Sequence, residues 1–302
     1  MQQGDLVVRH SYGGDVTFSI YQIAGNEARL KGVDIRLLAD APVSDLLPAS
    51  QQRILKNIEE DRRMVRRAVR QFDRSRKTQA ASRARTGDIA ETAYFEMPGK
   101  VLHMDGDYNY LRKSMNLYQE LRVPAVGYYV AEQEMAAALK VLLPQVMPDI
   151  VVLTGHDAIL KERRETDIHN LTSYKHSHHF VNAVKAVRQF DRSRDSLIVI
   201  AGACQSHFEA LIQAGANFAS SPGRVLIHAL DPLYIATKIA FTPIRETVHL
   251  SNVLHNTLSG LEGMGGLETR GCYRMGIPQA KWQEESANRV NRANRANEKK
   301  GN

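Results

Sequence analysis

Several classes of protein are excluded by what this chain lacks. Cysteine occurs only at Cys204 and Cys272 in 302 residues. Two thiols are too few for a disulfide framework, and the sparse usage fits a reducing compartment. Neither stands in a CxxC pair, which argues against a cysteine zinc site. No apolar run approaches the roughly 18–20 residues needed to span a bilayer. The opening Met1-Gln2-Gln3-Gly4-Asp5 has neither the basic start nor the apolar stretch of a secretory signal. The single tryptophan is Trp282, and no aromatic platform or readout motif for nucleic-acid bases is recognisable. No glycine-rich phosphate loop of the GxxxxGK[ST] kind is present. The expectation is a soluble cytoplasmic protein without a metal or cofactor.

What is present is a core-forming chain, 43% hydrophobic, with an uneven excess of basic charge. Ten Lys and Arg residues fall between Asp61 and Arg85 against only Asp61 and Asp73. Six more lie between Lys281 and Asn302 against three glutamates. Such blocks are solvated helix faces or tails more often than polyanion-binding surfaces.

Residues 1–43 have the short apolar alternations and Gly-rich turns of a small SH3-like β-barrel. Residues 44–97 form a basic segment. Its first part lacks Gly and Pro, and Ile54, Ile58, Met64, Val65, Val69 and Phe72 recur at roughly helical spacing. A linker rich in small residues follows. Over 98–278 the chain alternates between apolar runs (101–104, 125–130, 150–153, 197–200, 225–227) and helical stretches (about 108–120, 132–143, 174–192, 206–216 and one after Pro232). That alternation predicts an α/β domain, a parallel sheet flanked by helices of caspase-like or flavodoxin-like type. Residues 279–302 read as a basic disordered tail. The identical stretches 68–76 and 186–194, Ala-Val-Arg-Gln-Phe-Asp-Arg-Ser-Arg, fall in different contexts and do not mark a structural repeat.

Two segments carry the chemistry: Val151-Val152-Leu153-Thr154-Gly155-His156-Asp157 and Ile198-Val199-Ile200-Ala201-Gly202-Ala203-Cys204-Gln205-Ser206. Each is an apolar run of buried-strand length that ends in a small residue and then a reactive one. Ligands of parallel sheets gather beyond the carboxyl ends of the strands. Imidazole can take a thiol proton and leave a thiolate nucleophile, so the pair reads as a thiol hydrolase site. The two residues lie 48 positions apart, near the roughly 50-residue His-to-Cys separation of caspases. A helix beginning near Ser206 is expected to lower the Cys204 pKa through its dipole. His207 is a rival base, expected to point away. His169, His176, His178 and His179 read as a solvated face rather than a metal site, and Cys272 as structural. Asp105-Gly106-Asp107 ends the first strand of the sheet, and reads either as a lining of the active-site crevice or as a strand-to-helix turn with Asp107 as the helix N-cap.

The chain resembles the sporulation-specific YabG protease family. The likeness runs from Gly4-Asp5-Leu6-Val7-Val8-Arg9-His10-Ser11-Tyr12-Gly13-Gly14-Asp15, through Leu30-Lys31-Gly32-Val33-Asp34-Ile35-Arg36-Leu37 and Ala39-Asp40-Ala41-Pro42, to the two strand-end motifs. The resemblance implies a cysteine endopeptidase of the mother-cell cytoplasm that cuts after arginine and processes proteins of the spore coat and cortex machinery. It makes Cys204 the nucleophile and His156 the general base, with the backbone N–H groups of Cys204 and Asp157 as the oxyanion hole. In the caspase and clostripain class a His-Gly pair and an Ala-Cys pair end adjacent strands; here Asp157 follows the histidine and glycine precedes it. Arginine preference calls for an acidic pocket, for which Asp157, Asp105 and Glu209 are available. Arg83 and Arg85, in the small-residue linker, are the expected self-cleavage positions. The rival reading is a non-enzymatic nucleic-acid-binding module that grips phosphates with the barrel and basic segments.

Overall fold

The computed structural model describes residues 1–56, 95–163, 167–254 and 257–276, together with isolated positions between 58 and 74. Arg83, Arg85 and the tail from 279 lie outside the described residues.

The N-terminal unit is a five-stranded antiparallel sheet. Its strands are β1 (Leu6–Arg9), β2 (Phe18–Ala24), β3 (Glu27–Gly32), β4 (Leu38–Pro42) and β5 (Leu46–Pro48), in the order β4-β3-β2-β1-β5. Alternate residues Val7, Phe18, Ile20, Leu30 and Leu46 turn inward to one small core. The sheet continues past residue 43, because Leu46–Pro48 returns to pair with β1. Beyond it, the described positions from Gln51 to Arg74 are helical, as the apolar spacing predicts, and Val69 packs against the main core.

The main sheet contains β6 (Val101–Asp105), β7 (Ala125–Tyr129), β8 (Ile150–Thr154), β9 (Ile198–Ala201), β10 (Phe218–Ser220) and β11 (Met264–Gly266). Its order is β11-β10-β9-β8-β6-β7. The first five strands are parallel and β11 is antiparallel. Counted along the chain, the parallel strands follow the doubly wound order 2-1-3-4-5, which places the topological switch point between β6 and β8. One expected strand is corrected: Val225 to Ile227 is irregular backbone, and the fifth parallel strand is Phe218–Ser220.

Strands buried on both faces read as continuous apolar runs, and here successive residues serve opposite cores. Val101, Ile150, Val152, Ile198 and Ile200 face α1 (Tyr108–Glu120) and α5 (Asp231–Phe241). Leu102, Met104, Val151, Leu153 and Val199 face α2 (Met135–Val146) and α3 (Ser177–Phe190). A short helix, α4 (Phe208–Ala214), follows the Cys204 turn. Asp107 caps α1, its Oδ1 accepting from the N–H groups of Asn109 and Tyr110 at 2.9 and 3.2 Å. The architecture is thus α/β, a mostly parallel mixed sheet flanked by helices and preceded by an antiparallel sheet. Among the described residues, no helix is long and apolar enough to cross a membrane.

Candidate active site

His156 and Cys204 follow β8 and β9, which pair in parallel from Ile198–Ile150 to Ala201–Leu153. Both motifs therefore reach the same carboxyl edge of the sheet. The switch-point strand β6 ends beside them and brings Asp105 and Asp107 to that edge.

His156 is buried and held from two directions. Its backbone N–H donates to Glu132 Oε1 at 3.0 Å, and a Cβ on Gly106 or Gly155 would collide with that carboxylate. Both positions are thus glycine through close approach. The ring Nε2 lies 3.0 Å from Asp107 Oδ2. A carboxylate only accepts, so Nε2 carries the hydrogen and Nδ1 is the bare nitrogen. Nδ1 is buried without a hydrogen-bond partner. Burial lowers the His156 pKa, against the opposing pull of Asp107. Burial alone would raise Asp107, but the bond and charge of His156 hold it at about 2. An imidazole oriented by a carboxylate, with one free buried lone pair, is the arrangement of a general base.

Cys204 stands in a strained turn. Gly202 has φ +111°, which favours glycine, and Gln205 has φ +56°, uncommon for a side chain of its kind. Ser206 Oγ closes the turn, accepting from the Ala203 N–H at 2.9 Å and donating to Asp157 Oδ2 at 3.0 Å. The thiol is fully buried. Sγ accepts from the Ile227 N–H at 3.2 Å and lies 3.5 Å from the Ile227 carbonyl oxygen. Among the described residues no hydrogen bond joins it to His156. Helix α4 begins at Phe208 with His207 as its cap, later than expected. The anticipated drop in thiol pKa does not occur; burial pushes Cys204 up to about 12.

The space in front of both residues is filled by Arg36, from the loop between β3 and β4. Its carbonyl oxygen accepts from the Cys204 N–H at 3.2 Å and from the Asp157 N–H at 3.5 Å. Its guanidinium is fully buried and meets Asp105 in a fork, NH1 to Oδ1 at 3.1 Å and NH2 to Oδ2 at 2.8 Å. Nε donates to the Ala229 carbonyl at 3.0 Å and NH1 to the Gly155 carbonyl at 3.4 Å. Burial alone would raise the Asp105 carboxyl, but Arg36 and His103 hold it well below the usual carboxylate range. Thr154 Oγ1 and the Asp107 N–H, both at 2.9 Å, take further lone pairs of Asp105.

Of the three acidic residues available for an arginine pocket, only Asp105 meets a guanidinium there. Asp157 turns away: its carboxylate accepts from the His176 N–H, Ser177 Oγ and Ser206 Oγ, and ties the Cys204 turn to the start of α3. Glu209 pairs with Arg224 and His207 on an exposed face. His207 Nε2 lies 2.8 Å from the His169 carbonyl, away from Cys204. The His178 and His179 rings touch at a tilt of 44°, and His176 leans toward Glu132 at 3.6 Å. No group of three or more His, Cys, Asp or Glu among the described residues is arranged to hold a metal ion. Cys272 is buried beneath Gly99, whose missing Cβ makes room for it. Arg36, Glu132 and the histidine contact of Asp107 were not anticipated from the sequence; the Asp-Gly-Asp at the end of β6 was the one visible signal.

Fold and site together define an α/β protein with a histidine and a cysteine at adjacent parallel strand ends, facing a buried arginine-binding carboxylate. The chain belongs to the YabG peptidase family, U57, whose model it matches over residues 2–278. It is 45% identical over 294 residues to the sporulation-specific protease YabG of Bacillus subtilis (strain 168), covering 92% of this chain and 98% of that protein. No solved structure matches. Membership makes the chain a peptidase, a hydrolase with protein substrates.

Proposed function

We propose that the chain is a cysteine endopeptidase that cleaves after arginine, with Cys204 as nucleophile and His156 as base. The observation that carries this reading is the cradle around Arg36. One arginine has its guanidinium against Asp105 while its carbonyl oxygen receives N–H groups from both Cys204 and Asp157. An acyl-transfer site needs both features in a P1 residue: a pocket for the side chain, and donors aimed where negative charge develops. The departure of Asp157 from a His-Gly motif does not disturb this, since only its backbone N–H is used.

In the reaction, His156 Nδ1 takes the thiol proton and the thiolate attacks the carbonyl carbon of the scissile peptide. The oxyanion is held by the Cys204 and Asp157 N–H groups. As the C–N bond breaks, His156 returns the proton to the leaving amine. Water then adds to the thioester, giving up a proton to His156, and the arginyl acid departs as the thiol re-forms. Asp107 keeps Nε2 protonated throughout. The 45% identity to a sporulation-specific protease supports a role in sporulation; spore-coat and cortex proteins as substrates and the mother-cell cytoplasm as compartment follow from the family resemblance. Arg83 and Arg85, in the stretch of sequence rich in small residues, remain the proposed self-cleavage positions.

The test is an arginyl acyloxymethyl ketone, which alkylates an active-site thiol. One adduct on Cys204 in the peptide map, absent with the matched glutamyl reagent, is expected. An adduct on Cys272 alone contradicts the assignment.

A further inference from the structure

The residue lying in the arginine pocket belongs to the protein itself. Residues 34–38 run through the cleft as an added strand. The Arg36 N–H donates to the Ile227 carbonyl at 3.3 Å, the Ala229 N–H to the Asp34 carbonyl at 2.9 Å, and the Leu38 N–H to the Asp157 carbonyl at 3.3 Å. Ile35 bridges His228 and Leu37 bridges Asp157. This is β-augmentation, the mode by which peptides seat in clefts. Further contacts fasten the loop: the Tyr110 hydroxyl donates to the carbonyls of Gly32 and Ile35, and Lys113 Nζ pairs with Asp34 at 3.3 Å. Two open cavities border the segment, one of about 640 Å³ lined by Lys31, Gly32 and Val33 before Arg36 in the chain, and one of about 440 Å³ lined by Leu37 and Leu38 after it.

We propose that residues 34–38 are an intramolecular pseudosubstrate, which holds the peptidase latent by filling its own arginine subsite and oxyanion hole. The inference rests on the cysteine-peptidase reading above. Two features make the segment an inhibitor and not a substrate. The thiol is bonded to the Ile227 backbone and not to His156, so the proton transfer that opens the reaction is unprepared. The peptide after Arg36 is also anchored on both sides. Gly32 is paired with Phe18 of β2 and Leu38 with Lys31 of β3, and the Gly32 N–H donates to the Leu37 carbonyl at 2.9 Å. A leaving amine so tethered stays beside the acyl carbon and re-forms the bond before water can enter. An occupant on the same chain acts at an effective concentration in the millimolar range, so only substrates with extended contacts displace it.

The experiment compares the rate at which the arginyl acyloxymethyl ketone alkylates Cys204 in the full-length protein and in two variants, Arg36→Ala and Lys113→Ala. Arg36→Ala empties the subsite and should raise the rate about tenfold or more, since apparent binding scales with the fraction of protein whose site is open. Lys113→Ala only loosens the loop and should raise it by a smaller factor. It carries the test if Arg36→Ala does not fold. A synthetic peptide spanning residues 33–38 should slow alkylation of whichever variant is faster. Equal rates in the parent and both folded variants would overturn the latch and leave the peptidase assignment standing. A fragment ending at Arg36 on prolonged incubation would also overturn it, since the segment would then be a processing site. Absence of any Cys204 adduct in all three folded proteins would overturn both.

Discussion

Asp107 performs two tasks with two oxygens, and the division sets the protonation state of the site. Oδ1 caps α1 and Oδ2 takes the His156 Nε2 hydrogen. In Asp107→Asn the amide still caps, because its oxygen accepts, but its NH2 then faces the ring and favours the tautomer with hydrogen on Nδ1. We expect kcat/KM on an arginyl peptide to fall about a hundredfold or more, with thermal stability changed far less. Activity kept within a factor of two would remove Asp107 from the base assembly. The sequence exposed Asp107 as a cap and His156 as a strand-end residue, yet not their contact. Position 107 lies 49 residues from 156, and only the switch-point topology brings β6 beside β8. Arg36 was hidden for the same reason at longer range, 69 residues from Asp105. It also sits in a unit whose own pattern signalled nothing more than short strands.

At the scale of elements, the strand runs were legible because all residues of β6 and β8 are buried and most are apolar; the polar ones, His103, Asp105 and Thr154, hydrogen-bond to one another. The fifth parallel strand was missed because Phe218–Ser220 has only three residues, while the more apolar stretch around Val225 is spent covering the Cys204 thiol. The late start of α4 has the same origin. Ser206 and His207 are committed to Asp157 and Ser177, and so cannot enter the first helical turn. Asp157 is the joint between these elements. Burial raises its carboxyl pKa in spite of four donors. Asp157→Asn turns an amide donor toward hydroxyls and N–H groups already donating, which should cost about 1–3 kcal/mol of stability. Because the Cys204 turn loosens, kcat should drop while KM changes little. A variant with unchanged urea midpoint and kcat would contradict that role.

For the whole molecule, charge buried without water sets the response to acid. His103 and His156 are both enclosed, and burial lowers both pKa values. In the unfolded chain each binds a proton near about pH 6.5. Below that value the unfolded state holds more protons than the folded one, so stability falls as the pH falls. The urea midpoint should therefore be lower at about pH 5.5 than at about pH 7.5, and His156→Gln should flatten part of that slope. An equal or higher midpoint at the acid value would show these rings to be protonated in the fold. The α/β class and the parallel pairing of the main strands could be anticipated because both are written in local periodicity. The packing of the β3–β4 loop against the carboxyl edge of the main sheet could not, since it depends on contacts between residues far apart in sequence, Arg36 with Asp105 and Tyr110 with Ile35 among them.

The central claim is an arginine-directed cysteine peptidase, and its most direct test is turnover of two fluorogenic peptides ending in Arg or Lys. The proteins would be the parent chain, Cys204→Ala and Asp105→Asn. The expected result is slow cleavage of the Arg peptide in preference to Lys, no turnover in Cys204→Ala, and loss of the arginine preference in Asp105→Asn, because the fork that a guanidinium matches is gone. Turnover that survives in Cys204→Ala, or an undiminished arginine preference in Asp105→Asn, would contradict it.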